Sequence, residues 1–159
     1  MKAIIYPTRL MVMLAWWLTV GCIYAPESIV TPAMVGHWEG SARIVVIWCR
    51  QKELPVRLDI HADGSVTGTV GDAKLTAGRF HANRGLLGRK LNLATDYMIT
   101  ANLDGPLVAA EGITRACVMI PLNFGNGTIQ GGVNASGTMG GGKKSMWLAA
   151  RSLKLIRSP

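Results

Sequence analysis

Three dipeptides, Asp63-Gly64, Asp104-Gly105 and Asn126-Gly127, stand between short runs of alternating apolar and polar residues. Asp, Asn and Gly tolerate the positive φ that a two-residue hairpin demands, so each dipeptide predicts a reversal between antiparallel strands. The runs have the matching period of two. In "LPVRLDI", Leu54, Val56, Leu58 and Ile60 share one face while Arg57 and Asp59 take the other, as a half-buried strand requires. "AKLTAGRF", "KLNLATDYMITANLDG", "ACVMIPLNF" and "SMWLAARSLKLIR" continue the series. Pro121 cannot donate to a ladder, which predicts an edge or a bulge there. No run keeps a 3.6-residue period over three turns, though a short helix fits the region 107–116. About eight sequential strands close most readily into an all-β, up-and-down antiparallel barrel, because closure removes exposed edges. A two-sheet sandwich is the alternative.

The first residues belong to a different regime. Lys2 and Arg9 precede "LMVMLAWWLTVGCIYA", 16 residues without a charge. A spanning helix usually needs about 20, so residues 1–21 read as an export signal. "TVGC" resembles the bacterial lipobox, in which a small residue precedes a cysteine that becomes lipidated and N-terminal. Gly21 and Cys22 match; Thr19 stands where that motif has Leu, and Leu18 lies one place early. The resemblance implies a lipid on Cys22, hence a membrane partner. The non-acidic Ile23 then implies an outer-membrane lipoprotein facing the periplasm. Cleavage after Gly21 or Ala25 without lipidation, giving a soluble periplasmic or secreted protein, is the alternative. Residues 22–35 read as a tether, in which Pro26 and Pro32 disfavour regular structure. Residues 36–157 read as one barrel domain.

Of three cysteines, Cys22 is anchored or removed in either case, which leaves Cys49 and Cys117. An oxidising compartment predicts a disulfide between them; two buried free thiols are the alternative. The chain is basic, with 17 Lys and Arg against 9 Asp and Glu. Aromatic residues do not interleave with the cations, which argues against single-stranded nucleic acid. Attraction to an anionic lipid or polysaccharide surface is one reading of the charge, and a merely solvated basic surface is the alternative.

Strand parity places Trp38, Gly40, Ala42, Ile44, Val46 and Trp48 on one face of the first strand. It also places Arg151 with Trp147, Ala149, Leu153 and Leu155 on one face of the last. A guanidinium on an apolar face needs a receiver, and an aromatic ring near a barrel end supplies one. Gly36-x-Trp38 with an arginine from the last strand resembles the calycins, the lipocalins and their small bacterial relatives. "ATDY" (Thr95, Asp96, Tyr97) echoes that family's second conserved turn. The resemblance implies that Gly36, Trp38 and Arg151 close one barrel end and do not bind ligand. The chain is shorter than most lipocalins and shows no helix pattern after the last strand, which points to a minimal barrel.

The residues offer little chemistry. Asp59, His61, Asp63 and His81 could meet a metal, but parity turns them outward onto a solvated hairpin, and no metal is expected. Gly137, Gly142 and Lys143 match part of a phosphate loop. Lys144 stands where Ser or Thr should hold magnesium; "VNAS" is a poor strand to precede such a loop, and "SMWLAARSLKLIR" fits strand parity as well as the helix that should follow. No Gly-x-Ser-x-Gly elbow or Cys-x-x-Cys occurs. The expectation is a non-enzymatic envelope protein without a cofactor. It binds a small apolar ligand or an envelope partner, or else is an interaction lipoprotein with a filled core. The inward residues read from parity are mixed, with Gly40, Ala42, Gly68, Ala77 and Ala101 small and Trp48, Tyr97 and Phe124 large. An eight-stranded interior holds such side chains or one small ligand.

Overall fold

A computed structural model describes residues 30–47, 49–83, 95–111, 113–139 and 144–158. Eight strands follow in chain order: β1 Gly36–Ile44, β2 Glu53–Ile60, β3 Ser65–Val70, β4 Ala73–Ala82, β5 Tyr97–Asp104, β6 Cys117–Gly125, β7 Thr128–Met139 and β8 Lys144–Arg157. Each pairs antiparallel with its successor, and β1 pairs with β8, so the sheet is a closed barrel. Closure leaves no strand edge open, and the sandwich alternative is set aside. Among its described residues, the region 107–116 holds the 3₁₀ turn Ala109–Glu111.

β2 shows why the sequence folds this way. Leu54, Val56, Leu58 and Ile60 are at most 1% exposed, while Arg57 faces water. Each such aliphatic side chain contributes about 1.5–3 kcal/mol on burial. Outward positions carry Glu39, Arg43, Arg57, Lys74, Arg79 and Lys154, so the polarity is apolar inside and charged outside, the reverse of a membrane-spanning barrel. The Asp63-Gly64 reversal is fixed by Asp63 Oδ1, which accepts from the Ser65 amide at 2.9 Å and the Ser65 hydroxyl at 2.6 Å. Those bonds hold its carboxyl below the usual carboxylate range.

Two bulges interrupt the alternation. On β4 the register shifts against both neighbours around Ala77, which has φ 51°. On β8 it shifts against both neighbours around Ser152, with φ 55°. Each inserts one residue and reverses parity across itself. Ala77 is therefore exposed, contrary to its expected inward place. On β8, Leu148 and Ala150 are buried before the bulge, and Leu153 and Leu155 after it. Pro121 marks neither an edge nor a bulge of its own strand. It is buried in mid-β6, opposite Met98 of β5, where the Cα pairing of β6 with β7 lapses between Met119↔Asn134 and Leu122↔Gly131.

Candidate functional site

The barrel end where the chain enters is aromatic. Trp38 is 2% exposed, and its indole N–H donates to Met34 O at 3.0 Å, in the turn before β1. Phe124 meets its ring edge-on, with centroids 5.6 Å apart. Tyr97 and Phe80 extend the cluster, at 5.7 and 6.0 Å from Phe124. Such pairs add about 0.5–1.5 kcal/mol each beyond area burial. Thr95 and Asp96 border this end: Asn83 Nδ2 donates to Thr95 O, and the Asp96 amide donates to Asn123 Oδ1.

The guanidinium on Trp38 belongs to Arg157. Its Cζ lies 5.9 Å from the ring centroid, and its Nη2 donates to Val35 O. Gly36 explains the Gly-x-Trp spacing. Its φ is +136°, and a Cβ there would come within 3.0 Å of the Arg157 guanidinium. Arg151 is instead exposed and faces Arg43 across the seam between β1 and β8. The Ser152 bulge is the reason. Counting by twos from Trp147 places Arg151 inward, but the inserted residue sends Trp147 and Arg151 out and brings Leu153 and Leu155 in. Arg157, two residues beyond Leu155, then reaches the barrel end.

The far end is closed differently. The β5–β6 connection folds across it and buries Leu107, Val108 and Arg115. The Arg115 guanidinium donates to Glu111 Oε2 at 3.3 Å, with Arg115 fully buried and the Glu111 side chain 13% exposed. Asp72 Oδ2 accepts from the Ala109 amide at 2.8 Å, and its own amide donates to Leu107 O. Gly71, with φ +60°, is required here, since a Cβ would lie 1.9 Å from Leu107 O. Neither Arg115 nor Glu111 stands out in the sequence: each is one polar residue in an irregular connection, without periodic neighbours.

Cys49 and Cys117 are free thiols, so the expected disulfide is absent. β1 ends at Ile44, and Cys49 turns under the far end in the β1–β2 loop, buried, with its Sγ donating to Gln51 O at 3.2 Å. Cys117 opens β6 and contacts the Ser136 hydroxyl at 3.2 Å. Burial pushes the Cys49 thiol up, and the Glu111 carboxylate beside it adds to the effect.

The outward His and Asp residues do not converge. His37 meets Asp59 at 2.7 Å, His61 meets Thr67, and His81 meets Thr100. No group of three metal-ligating side chains occurs among the described residues. Cys22, Trp48, Gly142 and Lys143 lie outside the described residues.

Two depressions mark the outer face along the β1–β8 seam. One, of about 560 Å³, is lined by Glu39, Gly40, Ser41, Pro55, Arg57, Ser152, Lys154 and Ile156. The other, of about 470 Å³, lies between Arg43, Lys52 and Arg151, under Val45 and Ile47. No family model, curated protein or solved structure matches this chain.

Proposed function

We propose that this chain is a non-catalytic exported envelope protein whose barrel is a packed scaffold and whose outer surface meets its partner. The observation that carries the reading is the closure of both ends over an apolar inner face. Trp38, Met34, Phe124 and Arg157 cover one end; Leu107, Val108 and the Arg115–Glu111 pair cover the other. Leu54, Leu58, Ile99, Ile120, Ile129 and Leu148 fill the wall between them at 0% exposure. That favours a filled core over a small apolar ligand at an open mouth. The leader places the chain outside the cytoplasm, and a lipid on Cys22 anchors it to a membrane.

Titrating the exported domain with a polarity-sensitive lipophilic dye tests the scaffold. No saturable signal is expected, and displaceable one-to-one binding contradicts it. Detergent partitioning tests the anchor: wild type enters the detergent phase and Cys22→Ser stays aqueous. Both remaining aqueous after leader cleavage removes the anchor.

A further inference from the structure

We infer that the Arg43–Lys52–Arg151 depression docks the phosphate headgroups of an anionic phospholipid bilayer, with Val45 and Ile47 entering the leaflet. The inference rests on the outer-surface reading and names the place on that surface.

Arg43 and Arg151 are direct Cα partners across the seam, and both face water. Like charges in that position repel and destabilise a sheet, unless something else benefits from the pairing. Lys52 brings a third cation to the same depression, its Nζ held at 2.8 Å on Cys49 O. No carboxylate lines it. Glu53, the β2 partner of Arg43, forms no ion pair with it among the described residues.

The backbone is also committed to this arrangement. Ser152 lines both depressions with φ 55°, a conformation that L residues with a Cβ rarely adopt. Bulges re-aim side chains, and this one turns Arg151 outward to meet Arg43. Strain held at a site that gathers like charges points to a ligand of opposite charge.

The apolar component selects a bilayer over a free anion. Ile47 is 96% exposed and Val45 49%. The Val45 amide bonds to Ala149 O, so this segment runs on beside β8, where Trp147 is 51% exposed. Cations flanking exposed aliphatic residues and a tryptophan match the polarity profile of a headgroup layer over hydrocarbon.

The test uses the exported chain carrying Cys22→Ser, so that no acyl group contributes, in sedimentation with two kinds of vesicle. Phosphatidylcholine vesicles should bind little; vesicles with phosphatidylglycerol added should bind well at low salt. Each cation near the surface is worth about fivefold in partition, so Arg43→Gln/Arg151→Gln should lose at least tenfold. Ile47→Ser should lose about tenfold with melting unchanged. Lys74→Gln/Arg79→Gln removes the same charge from β4, three strands from β1 and four from β8, and should change binding little. Equal loss in both double variants would reduce the effect to net charge and overturn the site. Saturable binding of glycerol phosphate that abolishes vesicle binding would make it a free-anion site and overturn the bilayer. Absence of vesicle binding with no dye in the interior sinks this inference alone, whereas dye binding sinks the scaffold reading.

Discussion

The two ends of the barrel solve one problem with opposite chemistry. At the entry end, aromatic faces and edges fill the mouth, and the guanidinium of Arg157 lies exposed over the Trp38 ring. At the far end a loop lies across the opening and carries a fully buried arginine under it. Aromatic packing gains from every atom it removes from water. A buried ion pair roughly offsets its own desolvation, and becomes costly when one partner is lost. The entry end should therefore fail through lost contact, and the far end through charge left unbalanced.

Trp38→Ala should lower stability by about 3–5 kcal/mol, read by denaturant unfolding, since it deletes a buried ring and orphans Met34 O. Next comes Glu111→Gln, with an expected loss of about 3 kcal/mol from a buried guanidinium deprived of its carboxylate. An Arg115→Met/Glu111→Leu double variant should recover most of that, because apolar replacement of both partners is close to neutral. Failure of the double variant to recover would mean that the far end needs its charges for more than balance. Arg157→Ala should cost about 1–2 kcal/mol, by loss of the ring contact and the bond to Val35 O. Arg151→Ala should stay within about 0.5 kcal/mol of wild type, as exposed substitutions do.

The smallest expected effect concerns pH. The folded Cys49 thiol titrates above its ordinary value of 9.0. In the unfolded chain it ionises first, so its contribution to stability is complete below that ordinary value and declines as pH rises through the folded one. Unfolding followed between pH 8 and 10.5 should show wild type losing stability relative to Cys49→Ala. Cys49 should also alkylate more slowly in the folded than in the unfolded chain, because it is buried, its thiol is pushed up and the thiolate is the reactive form.

Much of this barrel is legible in the chain. Clean alternation at Leu54–Ile60 and the reversals at Asp63-Gly64 and Asn126-Gly127 define its strands, because period two and turn chemistry are local properties, whereas Asp104-Gly105 opens the long β5–β6 connection and not a tight hairpin. Trp38 is legible for the same reason, being an aromatic on the apolar parity of a first strand. Arg157 was within reach, since it shares parity with Leu153 and Leu155, but nothing in "AARSLK" announces that Ser152 adopts φ 55°. The bulge shows only in how β8 registers against β1 and β7, which the local sequence of β8 does not carry, and it redirects Arg151. Arg115 and Glu111 meet only because the β5–β6 connection folds over the end. Cys49 and Cys117 were matched by count and compartment, neither of which carries a distance.

A double-mutant cycle tests the entry-end geometry most directly. Trp38→Leu combined with Arg157→Ala should show a coupling of about 0.5–1 kcal/mol, the value of a cation–π contact at an exposed site, while Trp38→Leu with Arg151→Ala should be additive. Coupling to Arg151 and none to Arg157 would contradict the account, since β8 would then run through Ser152 without its bulge and the seam between Arg43 and Arg151 would not exist.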